Sequence, residues 1–253
     1  MRQLAERIYF FLCLVLGRLL RSGRYSSART VYEDGELRVR KRRFFYAPLL
    51  VWLGDSLVRI LNTGVRVLPQ REWEERERLI YQSLRGSSIE VKADGTLVLP
   101  CLSGVTLATL LEETKLDEPA RRRAIELAVV ALADFHTSGF THGDAMAENV
   151  MIDLDAGVAN WFDFETLHDS NRSPAWRRAD DVRALLATTL LRTVSEKHAE
   201  TIELILNVCA DGEVTSLLAT SFDSVFRRPL TFHLGQAGLS YQRFREIACR
   251  LRD

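Results

Sequence analysis

The sequence predicts an α+β fold of two lobes, a small strand-containing N-lobe with an inserted amphipathic helix followed by a mainly helical C-lobe. Three observations carry that expectation. The first hundred residues alternate strand-like runs with helices and turn twice at an Asp-Gly pair. From Pro119 onward helical periodicity and helix-start signals dominate. The exception in that second half is one short hairpin, "NVMIDLDAGVANWF". With 253 residues, 47% of them hydrophobic, the chain is long enough for one sizeable core or two smaller ones. The expected divisions are residues 1–24, a basic and apolar N-terminal helix, residues 25–102, the N-lobe, and residues 103–253, the C-lobe.

Taking the elements in order, "MRQLAERIYFFLCLVLGRLLRSGRYS" holds an apolar run from Ile8 to Leu16, shorter than the ~20 residues that a bilayer span needs. No small-x-small cleavage site follows it, so it is not expected to be a signal peptide. "TVYEDGELRVRKRRF" alternates and turns at Asp34-Gly35, a hairpin. "FFYAPLLVWLGDSLVRILN" spaces Leu49, Leu53, Leu57 and Ile60 as one face of an amphipathic helix, with Asp55 and Arg59 as a pair on the other side. That face either packs on the body of the protein or lies in the interface of an anionic membrane, and both readings are open. "EWEERERLIYQSL", Glu72 to Leu84, is an acidic helix, and "SIEVKADGTLVLPCL" is a second hairpin. Ser103-Gly104 then breaks the chain before a short helix. Further helices are expected from Pro119 to Phe135, Ser173 to Val194, Lys197 to Cys209, Glu213 to Phe226 and Ser240 to Leu251.

Charge narrows the function. The formal net charge is zero, which argues against nucleic acid as the partner. Residues 1–43 nevertheless carry eleven Lys/Arg against four Asp/Glu, +7, so the remainder carries −7. The four cysteines, Cys13, Cys101, Cys209 and Cys249, lie far apart and suggest neither a zinc site nor a disulfide framework, which fits a reducing cytoplasm.

The chemistry concentrates in "THGDAMAENVMIDLDAGVANWFDFET", Thr141 to Thr166. A tight loop holds Asp144 and Asn149, and the hairpin that follows, turning at Asp155-Ala156-Gly157, returns Asp163 beside Asn149. Such oxygens at one end of a hairpin suit a hard cation, Mg²⁺, held jointly with substrate phosphates. A separate carboxylate, Asp144, would orient an attacking hydroxyl and accept its proton, while Asn149 and Asp163 would be the metal ligands. His142 is expected to hydrogen-bond structurally rather than act as a base.

At these residues the chain resembles the protein-kinase-like superfamily: "HGDAMAENV" is similar to the H-[RG]-D-x-x-x-x-N catalytic loop, and "FDFE" to the D-F-G segment. His-Gly-Asp resembles the aminoglycoside phosphotransferase and small-molecule kinase branches. The long insertion with its basic strand resembles the lipopolysaccharide (Kdo-type) kinases, which phosphorylate sugars at the inner membrane face. The resemblance spans about residues 28 to 195. It implies ATP and Mg²⁺ as cofactors, and adenine binding by backbone groups near Pro100 and Leu102. It also implies a bracing role for Asp181, in "ADDVRALLATTLL". In the N-lobe it implies a strand lysine, for which Lys41 is the candidate and Arg66 the rival, paired with a helix glutamate, Glu77. No G-x-G-x-x-G is present; the nearest equivalent is Asp34-Gly35. Glu165 stands where the family pattern has glycine.

The expected activity is therefore ATP- and Mg²⁺-dependent phosphate transfer to a hydroxyl of a small molecule or a lipid-linked sugar. It would take place in the cytoplasm, with peripheral contact through residues 1–62 at the inner face of the cytoplasmic membrane as a further expectation. A protein Ser/Thr kinase, a catalytically silent pseudokinase scaffold and a metal-dependent hydrolase stay open beside it.

Overall fold

The architecture starts from a basic hairpin. In a computed structural model, which describes residues 26–33, 35–60, 64–113, 116–209 and 211–221, Ser26–Glu33 (β1) pairs antiparallel with Glu36–Arg43 (β2). Gly35 takes the left-handed conformation that the turn requires, at φ +82°. Strand alternation turns Val39, Lys41 and Arg43 inward and Arg40 and Arg42 outward. Ala47–Ile60 (α1) follows, then Val65–Val67 (β3) and Gln70–Arg85 (α2). α2 buries Trp73, Glu77, Ile80 and Tyr81, one helical stripe, and closes at Gly86, whose left-handed backbone (φ +60°) ends the helix. Glu90–Val91 (β4) and Leu97–Pro100 (β5) turn through Lys92–Gly95, where Gly95 N–H donates to the Lys92 carbonyl at 2.9 Å. The first sheet runs β1-β2-β5-β4, antiparallel throughout.

Val105–Thr106 (β6) leads into Leu107–Glu112 (α3) and Glu118–Thr137 (α4). Asp117 caps α4 by accepting from Ala120 N–H at 2.9 Å, with Pro119 in the first turn. Beyond a short 3₁₀ turn, Ala147–Asn149, come Val150–Asp153 (β7), Val158–Trp161 (β8) and Thr166–His168 (β9). Pro174–Leu190 (α5) is capped by Ser173 and buried on almost every side from Ala179 to Leu190, which makes it the central helix. His198–Cys209 (α6) packs on α4, and Gly212–Ser221 (α7) on α5. α4, α5 and the inner faces of α2, β5, β7 and β8 share one continuous apolar core.

The fold is thus mixed α+β, with small antiparallel sheets. No described helix is long and apolar enough to cross a membrane. The N-terminal helix expected at 1–24, Asp34 of the first turn, Leu61, Lys115, and the chain from 222 on, including the expected Ser240–Leu251 helix, lie outside the described residues.

Three expectations are corrected. The second half is not helical apart from a single hairpin: β6 joins it to give the sheet β6-β7-β8, and β9 pairs with β3. Strands of two or three residues are too short to display alternation, so only their partners define them. The helix expected to reach Val194 ends at Leu190. The reading in which the spaced face of α1 packs on the body fails at Leu49 and Leu53, and the side chains of Leu57 and Ile60 lie outside the described residues. Ala47, Val51 and Gly54 face inward, Leu49 and Leu53 face out, and Asp55 turns in to accept from Val67 N–H at 3.1 Å.

Between β5 and β6 the backbone passes very close to β7. Gly104 has φ +89°, and a Cβ built there would lie 2.0 Å from the Ile152 carbonyl oxygen. Gly104→Ala is expected to cost about 2 to 4 kcal/mol from left-handed strain and overlap with backbone. Urea denaturation measures it, and a loss below about 1 kcal/mol would contradict the close approach.

Candidate active site

The loop from Thr141 to Asn149 is hung on one buried carboxylate. Asp181 of α5 accepts from the N–H groups of His142 (2.7 Å) and Gly143 (2.8 Å), and its Oδ2 lies 2.9 Å from His136 Nε2. Burial works against the charge on Asp181, but the neighbouring imidazoles of His168 and then His136 outweigh it and hold the carboxyl below its ordinary range. Thr188, two turns along α5, accepts from Ala147 N–H at 2.9 Å, so one helix face fixes both ends of the loop. Behind it, His168 of β9 spans Thr141 Oγ1 (2.9 Å) and Asp180 Oδ2 (3.2 Å), and Asp180 also pairs with Arg183.

His142 is fully buried and structural, as its position two residues before Asp144 suggests. Its Nδ1 accepts from Asp144 N–H (3.3 Å) and its Nε2 faces the Phe162 carbonyl (2.9 Å), a pairing that requires the neutral ring with the proton on Nε2. Burial pushes its pKa from 6.5 down to about 4, against the attraction of Asp181 and Asp144. The folded value lies below the unfolded one, so this contribution is present above about pH 6.5 and is lost as pH falls toward 4. The full loss amounts to roughly 3 kcal/mol. Chemical denaturation between pH 7 and pH 4.5 is expected to give a shallower pH dependence for His142→Asn than for the natural chain. Equal slopes would mean that His142 is not buried in the neutral form.

Asp144 and Asn149 are joined directly. Asn149 Nδ2 donates to the Asp144 carbonyl at 2.8 Å and to Asp144 Oδ2 at 3.0 Å. Both amide protons are thereby used on Asp144, and Asn149 Oδ1 meets no hydrogen-bond donor among the described residues. The hairpin does what its spacing suggests: Val150 sits opposite Trp161, and Phe162 N–H donates to the Asn149 carbonyl at 3.0 Å, so Asp163 follows one residue past that bond. Asp163 has φ +68°, the one described non-glycine residue in left-handed backbone. Such strain in an aspartate persists where surrounding contacts hold it.

Those contacts converge on Lys41. Its ammonium, at the buried end of β2, pairs with Asp163, with Glu165 Oε1 at 2.8 Å and with Glu77 Oε1 at 3.8 Å. Burial works against the charge on Lys41, but Asp163, Glu165 and Glu77 outweigh it and hold its pKa well above the ordinary lysine range. Partial burial pushes the Asp163 carboxyl up to about 6, with Glu165 and Glu77 adding to the rise and Lys41 holding it back. Glu77 is fixed in turn by Trp73 Nε1–H at 3.1 Å and Phe164 N–H at 3.4 Å. The rival cation, Arg66, lies on β3 and pairs with Glu72 at 3.5 Å, away from this cluster.

Arg43 and the pairing role of Glu165 escape the sequence reading. Arg43 donates to the Leu68 carbonyl (2.8 Å), reaches Glu165 Oε2 (3.4 Å) and covers the Trp73 ring at 4.5 Å. The available signal was the period of two on β2, which puts Lys41 and Arg43 on the same inward face. Pro100 and Leu102 close β5: Pro100 stands opposite Arg38, and beyond it the Leu102 amide meets no acceptor among the described residues.

The five charged side chains Lys41, Arg43, Glu77, Asp163 and Glu165 sum to −1. That excess, with the open Asn149 Oδ1 and the 37%-exposed Asp163 carboxylate, fits a hard divalent cation completed by ligand oxygens. No group of three or more His, Cys, Asp and Glu side chains is arranged to hold a metal ion alone among the described residues. Phosphate oxygens would have to supply the rest.

No known protein-family model matches the chain, and no curated protein matches it.

Proposed function

We propose that the chain is an ATP- and Mg²⁺-dependent phosphotransferase of bilobal, protein-kinase-like architecture. Its acceptor would be a hydroxyl of a small molecule or a lipid-linked sugar. The observation that carries this reading is the convergence on one place of Lys41 of β2, Glu77 of α2 and Asp163 of the loop after β8, beside an Asp144–Asn149 pair. When bound, Mg²⁺ would neutralise charge on the transferring phosphoryl group.

In this reading Asn149 Oδ1 and Asp163 would hold the metal, and Lys41 would hold phosphate oxygens while Glu77 and Glu165 keep its ammonium in place. Asp144 Oδ2, steadied by Asn149 Nδ2, would orient the acceptor hydroxyl and take its proton as the oxygen bonds to the γ-phosphorus of ATP, whose bond to the β,γ-bridging oxygen breaks to release ADP. Adenine would lie against the backbone at Pro100 and Leu102. Only eight residues, Thr166 to Ser173, separate Glu165 from α5, and three of them form β9. That favours a small acceptor over a docked protein, which would use a longer segment for recognition.

A second reading, a pseudokinase that binds nucleotide without transfer, is favoured by the missing glycine-rich loop and by the three carboxylates already engaging Lys41. The deciding experiment is ATP turnover with Mg²⁺, alongside a nucleotide thermal shift. Metal-dependent binding with slow hydrolysis supports the phosphotransferase. Binding with no turnover under any sugar or lipid acceptor supports the silent form, and no metal-dependent nucleotide binding at all sinks both.

A further inference from the structure

Lys41 has a closer glutamate than the one on α2. Glu165 Oε1 lies 2.8 Å from Lys41 Nζ, whereas Glu77 Oε1 lies 3.8 Å away, beyond hydrogen-bond length. The nearer oxygen belongs to the residue that follows the Asp163-Phe164 pair, on the same stretch of chain as the candidate metal ligand.

Glu165 is held from two directions. Its Oε2 reaches Arg43 Nη2 at 3.4 Å, and its backbone carbonyl accepts from Leu68 N–H at 2.9 Å, while Arg43 Nη1 donates to the Leu68 carbonyl at 2.8 Å. Arg43, Leu68 and Glu165 thus close a ring of contacts. The alternation of β2 puts Lys41 and Arg43 on one face, and both lie over the Trp73 ring, at 5.0 and 4.5 Å. One buried carboxylate therefore bridges two cations, with one oxygen toward each.

Glu77 is occupied elsewhere. Its Oε1 accepts from Trp73 Nε1–H at 3.1 Å and from Phe164 N–H at 3.4 Å. Two other side chains of α2 also hold backbone: Arg76 donates to the Thr141 carbonyl and Arg85 to the Trp161 carbonyl. Arg76, Glu77 and Arg85 together clamp the segment 141–164, which carries Asp144, Asn149 and Asp163.

We infer that, of the two glutamates beside Lys41, it is Glu165, anchored by Arg43, that positions the ammonium, and that Glu77 serves to hold the Phe164 backbone. A divalent cation on Asp163 competes with Lys41 for that carboxylate, and Glu165 is then the close anion that remains. Lys41, Arg43, Glu77 and Glu165 sum to zero, so the cluster stays balanced with Asp163 given to the metal. The partner of Lys41 and the metal ligand sit two residues apart on one loop, so both are set by the same local geometry. The bearing on phosphate binding rests on the phosphotransferase reading; the pairing does not.

The test compares the full natural chain with Glu165→Gln, Glu77→Gln and Glu165→Asp, each carrying isotope-labelled lysine. There are four lysines, Lys41, Lys92, Lys115 and Lys197, and the Lys41 ammonium resonance is the one that Lys41→Arg removes. Glu165→Gln is expected to speed exchange of the Lys41 Nζ protons with water by about tenfold or more, the factor that accompanies loss of one charge-assisted hydrogen bond. Glu77→Gln should speed it much less. Glu165→Asp should keep part of the protection, and it carries the comparison where the glutamine variant does not fold. In Mg²⁺·ATP turnover Glu165→Gln should raise KM by about tenfold, whereas a mere loss of folded protein lowers kcat and leaves KM unchanged. Equal or greater exchange in Glu77→Gln, no change in either Glu165 variant, or a fall confined to kcat each overturns the inference. The ammonium resonance needs neither nucleotide nor turnover. The expected ranking without metal-dependent nucleotide binding therefore upholds the pairing and sinks only the phosphotransferase reading.

Discussion

Asp144→Asn is expected to lower the turnover number for phosphate transfer by 10²- to 10⁴-fold, the range over which a positioned base contributes, while Mg²⁺-nucleotide binding stays close to that of the natural chain. The substitution is nearly isosteric, and the new side-chain carbonyl still accepts from Asn149 Nδ2, so the loop keeps its geometry. Only proton acceptance is removed. Asp163→Ala should behave differently, because it deletes a metal ligand in the proposed reading and releases Lys41 from one of its three carboxylates. Both turnover and the Mg²⁺-dependent part of the nucleotide thermal shift should then vanish. Steady-state kinetics with calorimetric nucleotide titration separates the two variants. An Asp144→Asn protein turning over at the natural rate would move proton acceptance to another group.

The second large effect is on stability. Asp181→Ala is expected to destabilise the fold by about 3 to 5 kcal/mol, the usual consequence of removing one partner from a buried charged network. The N–H groups of His142 and Gly143 would be left buried without acceptors, and His136 would lose its carboxylate. For a chain of this length that corresponds to a drop in Tm on the order of 10 °C, measurable by scanning calorimetry. Asp181→Asn keeps a carbonyl acceptor and should cost less. A loss under about 1 kcal/mol for the alanine variant would show that the loop is held by other contacts.

Much of this was legible in the residues themselves. The Asp-Gly turns, the Pro119 start and the stripe Trp73-Glu77-Ile80 are local signals, and each became an element close to where its pattern lies. Asp144, Asn149 and Asp163 could be nominated from a spaced motif, and Lys41 and Glu77 from the family resemblance that it carries; the structure brings Lys41, Glu77 and Asp163 together and pairs Asp144 with Asn149. What stayed illegible is non-local. β3 and β9 exist only through each other, and their middle pair, Arg66 and Leu167, is 101 residues apart in the sequence. The direction of α1 depends on whether β3 or solvent lies beneath it, which hydrophobic spacing alone does not say. Arg43 looked like one more member of a basic run because the run hides which of its members point inward.

The Lys41–Asp163 pair also says something about synthesis. The two residues are 122 positions apart, so at ~5 to 20 residues per second a ribosome adds the aspartate roughly 6 to 24 s after the lysine. During that interval Lys41 has Glu77 as its one available carboxylate of the final three, and the Trp73 ring, 5.0 Å away, as a cover for its charge. The first sheet is complete once Pro100 is added, yet two of the three carboxylates that pair this ammonium, Asp163 and Glu165, are still to come.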